Sequence, residues 1–381
     1  MIVNLPQPQT TWKSYLKVVA IFALLYLFLV SIGLIGSAFK GLGKSFAEQL
    51  IQSSAGPLVG LFIGILATSI IQSSSTTTSL VVGMVAAGTF GEDPRIALAA
   101  AIPYIMGANI GTSITNTIVA LGHIVRKDEF ERAFAASIVH DFFNLFAVII
   151  LFPIQIYTNF IGTSAYWLAE RFIGTDALTF NSPIKLITEP TVHLINDIFK
   201  AQELINPYWL VLLSALLMLF FALKYLTVTI RSLVISKLEA FFDTHIFKTW
   251  IRAMTFGLVI TVLVQSSSIT TSLVVPLAGA GILTLRQIFP YTLGSNIGTT
   301  ITAILASLVS ASIAPVAVAF AHLLFNIFGI LIIWPIKQIR ELPINMAQYL
   351  STLAIRNRIF PLLYILIVFF LIPISLIFIT R

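Results

Sequence analysis

Residues 72–82 read QSSSTTTSLVV, and residues 265–275 read QSSSITTSLVV. One position separates the two strings, Thr76 against Ile269. Two further pairs follow in the same order: GANIGT at 107–112 against GSNIGT at 294–299, and HDFFN at 140–144 against HLLFN at 322–326. The offset is 193 residues at the first pair (72 to 265), 187 at the second (107 to 294) and 182 at the third (140 to 322). Order that is kept while spacing drifts marks a duplication followed by loop changes. The extra residues of the first copy fall near the turn-like TFGEDPR at 89–95.

The chain has 381 residues, 58% hydrophobic and 10% charged, with mean hydropathy +0.98. Soluble domains carry about 25% charged residues, so lipid must be much of this protein's solvent. Runs at 15–36, 207–227 and 359–380 reach the roughly 20 residues a helix needs to cross the hydrocarbon core. No small-residue cleavage site follows the first run, which reads as a span and not as a removable leader. The net charge of +7 comes from basic residues beside apolar spans, where they report orientation; no nucleic-acid partner is implied. The absence of cysteine excludes disulfides, thiol catalysis and thiolate metal sites.

Residues 57–71 are apolar but too short to span; the polar QSSS follows, then an apolar run from 76. That pattern predicts a re-entrant hairpin over 57–88 with QSSS at its tip, repeated over 252–283. Residues 97–121 and 287–308 are long enough to cross but are interrupted by MGANIGTS and LGSNIGTT, which predicts two discontinuous helices. Backbone unwinds at membrane depth only where it lines a protein cavity. Orientation follows from charge. Residues 155–206 hold three basic and five acidic residues, residues 224–252 five basic and two acidic, and one span separates them. The first segment is expected outside and the second inside. Tracing outward places the N-terminus in the cytoplasm and gives the two halves opposite orientation. The expected fold is an all-α polytopic membrane protein of two inverted-topology repeats. Residues 1–154 form the first (span, hairpin, broken helix, span at 131–153) and 207–335 the second (with its last span at 314–335). An extracellular connection covers 155–206, and a cytoplasmic linker with an extra span covers 336–381.

No Asp, Glu, Lys or Arg occurs from 49 to 91 or from 253 to 285, and the two interrupted helices are equally uncharged. Hydroxyls and amides fill these stretches instead. Ser, Thr and Asn favour helix starts, and a helix after QSSS aims its free N–H groups and positive dipole end at the tip. Two such tips meeting in mid-bilayer make a nest for a small oxyanion, with Gln72, Ser73, Ser74, Ser75, Gln265, Ser266, Ser267, Ser268, Asn109 and Asn296 as candidate ligands. With no fixed cation, a multiply charged anion there needs a co-bound positive ion. Unwound carbonyls with the side chains of Thr76, Thr112, Ser113, Thr115, Asn116, Thr299, Thr300 and Thr302 offer hard oxygen sites suited to Na⁺. Asp141 lies inside an apolar span, where a carboxylate costs roughly 2.5–3.5 kcal/mol, and is assigned to a cation site; its counterpart is Leu323. His140 and His322, with Asn144 and Asn326 one turn on, read as packing or supporting groups. No G-x-S-x-G elbow is present, so a serine hydrolase is disfavoured and the protein reads as a transporter and not an enzyme. A dicarboxylate or sulfate carrier and a passive anion channel are the competing transport readings.

The doubled QSSS segments, GANIGTSITNTIVAL, GSNIGTTITAILASL, VHDFFN and ITE before Pro190 closely resemble the type II sodium-dependent phosphate cotransporter family over about 50–334. The resemblance implies Na⁺-driven uptake of inorganic phosphate by a multi-pass protein of the cell (inner) membrane in a bacterial member, with Na⁺ the co-transported ion. It places phosphate at the QSSS residues and associates the aspartate of VHD, here Asp141, with an additional Na⁺ and electrogenic transport. The chain departs from the family in its short termini, in lacking a long extracellular insert, and in lacking the PhoU-like domain of many bacterial relatives. Partners are phosphate, sodium ions and the lipid bilayer, and the sequence is compatible with a homodimer.

Overall fold

A computed structural model describes residues 11–42, 56–112, 114–173, 183–201, 206–238, 246–310 and 312–379. Among them every regular element is helical. Six helical stretches are long and apolar enough to cross a membrane: Tyr15–Ile35, Pro94–Leu121, Lys127–Thr158, Pro207–Leu226, Ile313–Ile333 and Phe360–Ile379.

The order of elements reads twice. Helix α1 (Thr11–Leu42) is followed by α2 (Pro57–Ile71), α3 (Ser74–Ala86), α4 (Pro94–Gly111), α5 (Ile114–Leu121) and α6 (Lys127–Thr158). After α7 (Phe160–Ile173) and α8 (Pro183–Lys200), the series resumes with α9 (Pro207–Leu238), α10 (Trp250–Val264), α11 (Ser267–Gly279), α12 (Leu285–Ser307) and α13 (Ile313–Ile333). Helices α14 (Lys337–Arg356), α15 (Phe360–Leu366) and α16 (Ile372–Ile379) close the chain, with a π-helical turn at Ile367–Leu371 between the last two. Equivalent helices match in length: α1 and α9 have 32 residues each, α2 and α10 15, α3 and α11 13.

Local chemistry sets the boundaries. Asp93 caps α4, its Oδ1 accepting from the Arg95 and Ile96 amides at 2.8 and 3.2 Å, with Pro94 at the first helical position. Gln155 turns the corner from α6 to α7: its Oε1 accepts from the Ile161 and Gly162 amides and its Nε2 donates to Asn159 Oδ1. The Arg132 guanidinium donates to the Gly279 carbonyl at the end of α11, where a cation meets the negative end of the helix.

The copies interlock. Helices α1 and α9 pair along their lengths, α7 of the connecting segment packs on α13, and α14 after the second copy packs on α6. Within each copy the short helix and the glycine-bearing helix approach closely, α2 on α4 and α10 on α12. A Cβ at Gly107 would collide with the Leu61 carbonyl, and one at Gly294 with the Met254 carbonyl. Gly111 and Gly298, four residues on, face the same partners, so GANIG and GSNIG act as small-xxx-small packing stripes.

That explains one correction. The first expected interruption falls at Ser113, outside the described residues, between α4 and α5. The second is absent: α12 runs unbroken through residues 294–300. Its glycines serve close packing, and the Thr299 and Thr300 hydroxyls bond back to the Ser295 and Ile297 carbonyls at 3.0 and 2.7 Å. Its carbonyls are therefore not released for an ion, contrary to the expectation for 287–308. The stretches read as connection and linker are also helical, as α7, α8 and α14. The apolar faces of α8 and α14 are narrow, which hid them from a search for long apolar runs.

Candidate functional site

The two QSSS segments adopt the same turn. Gln72 ends α2 in the left-handed region (φ 59°, ψ 28°), and Gln265 ends α10 likewise (φ 56°, ψ 24°). Among the described residues only one other non-glycine, Asn159, has positive φ. Left-handed backbone costs an L-residue roughly 1–2 kcal/mol, and glycine would avoid it, so the glutamine side chain has a task. Thr115 Oγ1 donates to Gln72 Oε1 at 3.0 Å, and Thr302 Oγ1 donates to Gln265 Oε1 at 2.8 Å. The amide groups donate back to the carbonyls of Ser69 and Val262. Each glutamine thus ties its turn to the long helix of its own copy.

Ser73 and Ser266 cap the helices that follow. Ser73 Oγ accepts from the Thr76 amide at 3.2 Å and from Thr76 Oγ1 at 2.9 Å. Ser266 Oγ accepts from the Ile269 amide at 3.4 Å. Ser74, Ser75, Ser267 and Ser268 form the first helical turns and are all buried. The turns meet the opposite copy: α3 packs on α12, and α11 on α5. Ser268 Oγ donates to the Thr112 carbonyl at 3.4 Å, just past the end of α4 in the first copy. Asn116 and Thr271 pair beside it, with Asn116 Nδ2 2.8 Å from Thr271 Oγ1. Ser113 lies outside the described residues. Thr112 Oγ1 bonds back to the Ala108 carbonyl at 3.0 Å.

Asn109 and Asn296 belong to a hydrogen-bond network that crosses between the copies. His140 Nε2 bonds Asn296 Oδ1, and Asn296 Nδ2 donates to Asn144 Oδ1 at 2.9 Å. Asn144 Nδ2 donates to the Asn109 carbonyl at 2.8 Å, and His322 Nε2 lies 3.3 Å from Asn109 Oδ1. All five side chains are buried. Each histidine reaches the asparagine of the other copy, so this set stitches the halves together. Both histidines are engaged in hydrogen bonds within this network. The two asparagines expected at the anion are engaged in the same stitching.

Asp141 is the only buried carboxylate among the described residues, 4% exposed. Tyr364 of α15 donates its hydroxyl hydrogen to Asp141 Oδ2 at 2.8 Å. No sequence signal pointed to Tyr364, which lies 223 residues away. Tyr291 was missed as well; its hydroxyl donates to the Thr270 carbonyl in α11 at 2.9 Å.

The family model described as Na⁺/Pi-cotransporter matches residues 27–178 and 218–357. The chain belongs to this family. Sodium-dependent phosphate transport protein 2B of Homo sapiens is 33% identical over 451 residues, covering 94% of this chain and 64% of the relative. The same protein of Pongo abelii gives the same figures. Sodium-dependent phosphate transport protein 2A of Mus musculus is 33% identical over 452 residues, covering 98% of this chain and 70% of the relative. The chain therefore spans just under two thirds of the length of the 2B relatives. No solved structure matches. Both serine turns, the crossing network and Asp141 fall inside the family match, whereas α15 and α16 lie beyond its end at residue 357.

Proposed function

We propose that this chain is a secondary transporter, not an enzyme, that couples inward Na⁺ flow to uptake of inorganic phosphate across the cell membrane. The relatives it resembles are named as sodium-dependent phosphate transport proteins. The observation that carries the reading is the pair of equivalent turns: a left-handed glutamine, a capping serine and a buried helix start, each packed on the opposite copy.

The chemistry follows from the caps. The first N–H groups of a helix have no partner within it. Ser73 and Ser266 take up the third N–H of their helices. The amides of Ser74 and Ser75, and of Ser267 and Ser268, are left to meet an oxyanion, together with the hydroxyls of the same residues. Phosphate oxygens match several donors at once, and the positive ends of α3 and α11 favour the charge. Gln72 and Gln265 hold the turns to Thr115 and Thr302 so that these donors stay aimed.

Na⁺ sits in the first copy, near the junction of α4 and α5. Thr76, Thr112, Ser113, Thr115 and Asn116 are its candidate ligands, and Asp141 supplies the negative charge. Thr299, Thr300 and Thr302 keep α12 regular and tied to the second turn. Cation and anion then raise each other's affinity, which is reciprocal coupling between two sites. Residues 1–154 and 207–335 form inverted repeats, the pairs α2–α3 and α10–α11 enter the bilayer from opposite faces without crossing, and the N-terminus is cytoplasmic.

Labelled phosphate uptake into proteoliposomes, with Na⁺, K⁺ or Li⁺ outside, tests this. Uptake above the internal concentration is expected with Na⁺ and not with K⁺. Equal uptake in K⁺ contradicts it, and suppression by succinate but not by arsenate assigns a dicarboxylate carrier instead.

A further inference from the structure

We infer that the C-terminal helix, which has no counterpart in the duplicated halves, completes the cation site through Tyr364, a positioning residue that fixes the orientation of the Asp141 carboxylate. The inference rests on the reading of Asp141 as a cation ligand.

A carboxylate buried in an apolar span is expensive and gains from any donor that meets its charge. Tyr364 is such a donor, at 2.8 Å from Oδ2. Its ring is held on two sides. It packs edge-on against Phe134 of α6, 6.2 Å between ring centres, and against Phe369, 5.9 Å away. Phe369 is fully buried and lies in the π-helical turn Ile367–Leu371. That turn and α16 pack on α2, the outer helix of the first QSSS pair, while α15 touches α5. One segment therefore contacts the helix leading into the first tip, the helix that carries Thr115 and Asn116, and the carboxylate itself. π-turns occur mostly as single insertions and often at functional sites; this one sets the register in which Tyr364 faces Asp141 and Phe369 faces the core.

A hydroxyl that engages Oδ2 stops the carboxylate from rotating and presents its other oxygen in one direction. Without the hydroxyl, the acid must be ordered by the arriving ion, and part of the binding free energy is lost. Na⁺ affinity should fall while the serine turns, and hence phosphate affinity at saturating Na⁺, stay as they are.

The purified full chain is melted over a range of NaCl concentrations, with choline chloride holding ionic strength constant. Ligand binding to the folded state raises the melting temperature, so the midpoint of the rise reports Na⁺ affinity. Tyr364→Phe should raise that midpoint at least threefold, and uptake should show the same shift in half-saturating Na⁺ with half-saturating phosphate within twofold of wild type. In an Asp141→Asn background, Tyr364→Phe should add nothing. Phe369→Leu, a packing control on the same segment, should lower the melting temperature without Na⁺ and leave the midpoint in place. A wild-type midpoint in Tyr364→Phe, or a shift that persists in Asp141→Asn, overturns the inference alone. If Asp141→Asn itself keeps the wild-type Na⁺ response, or the wild type shows none, the cation reading of Asp141 falls with it.

Discussion

The two copies of the repeat keep the same turns and differ in what stands behind them. In both, a left-handed glutamine is tied to a threonine of the long helix and a serine caps the next helix. Behind the second turn the long helix is continuous; behind the first, Asn116 of α5 pairs with Thr271 of the other copy. Three substitutions track this difference. Asn116 faces Ala303 in the alignment of copies, Ser113 faces Thr300, and Asp141 faces Leu323. On the proposed function, the shared parts hold the anion from both sides and the divergent parts hold the cations.

The comparison can be broken first at what the copies share. Leucine at Gly107 or at Gly294 would drive a side chain into the Leu61 or the Met254 carbonyl. Overpacking of this kind costs on the order of 3 kcal/mol or more. Both variants should lose the folded protein in size-exclusion and melting experiments, and to a similar degree. If Gly294→Leu folds normally while Gly107→Leu does not, the close pairing of α10 on α12 is not the reason α12 stays regular.

A smaller effect sharpens the difference. Asn116→Ala removes the partner of Thr271 inside the interface between α5 and α11. Leaving a buried polar group unmatched costs roughly 1–3 kcal/mol, so the melting temperature should drop and half-saturating Na⁺ should rise several-fold. Thr78, the counterpart of Thr271, donates to the Ser75 carbonyl of its own helix at 3.2 Å. Thr78→Ala should therefore cost under about 1 kcal/mol and leave the Na⁺ response alone. Equal responses of the two variants would mean that the copies are functionally interchangeable.

Much of this was legible in the sequence because the informative residues are polar in an apolar background. QSSS announces itself twice, and helix-start chemistry leads from Ser73 and Ser266 to caps that the structure contains. The repeated order of short and long helices also follows from the spacing of apolar runs. The unbroken α12 was not legible, because a glycine–threonine stretch reads equally as a break and as a packing stripe; the choice depends on whether a neighbouring carbonyl lies at van der Waals distance. The hydrogen-bond partners of Asn109 and Asn296 were hidden for a similar reason. Their partners, His322 and His140, come from the other copy, and nothing local in GANIG or GSNIG predicts that pairing. Tyr364 was invisible because a lone tyrosine in an apolar span ordinarily marks the membrane interface, and only the fold brings it to Asp141.

The central claim is that one phosphate is held by both helix starts together. Phosphate uptake at saturating Na⁺, measured side by side for Ser74→Ala and Ser267→Ala, tests it most directly. Each hydroxyl that donates to the anion is worth roughly 1.5–3 kcal/mol, so both variants should raise half-saturating phosphate about tenfold or more, and by similar factors. If either leaves it at the wild-type value, the anion is held by one turn alone and the shared site is wrong.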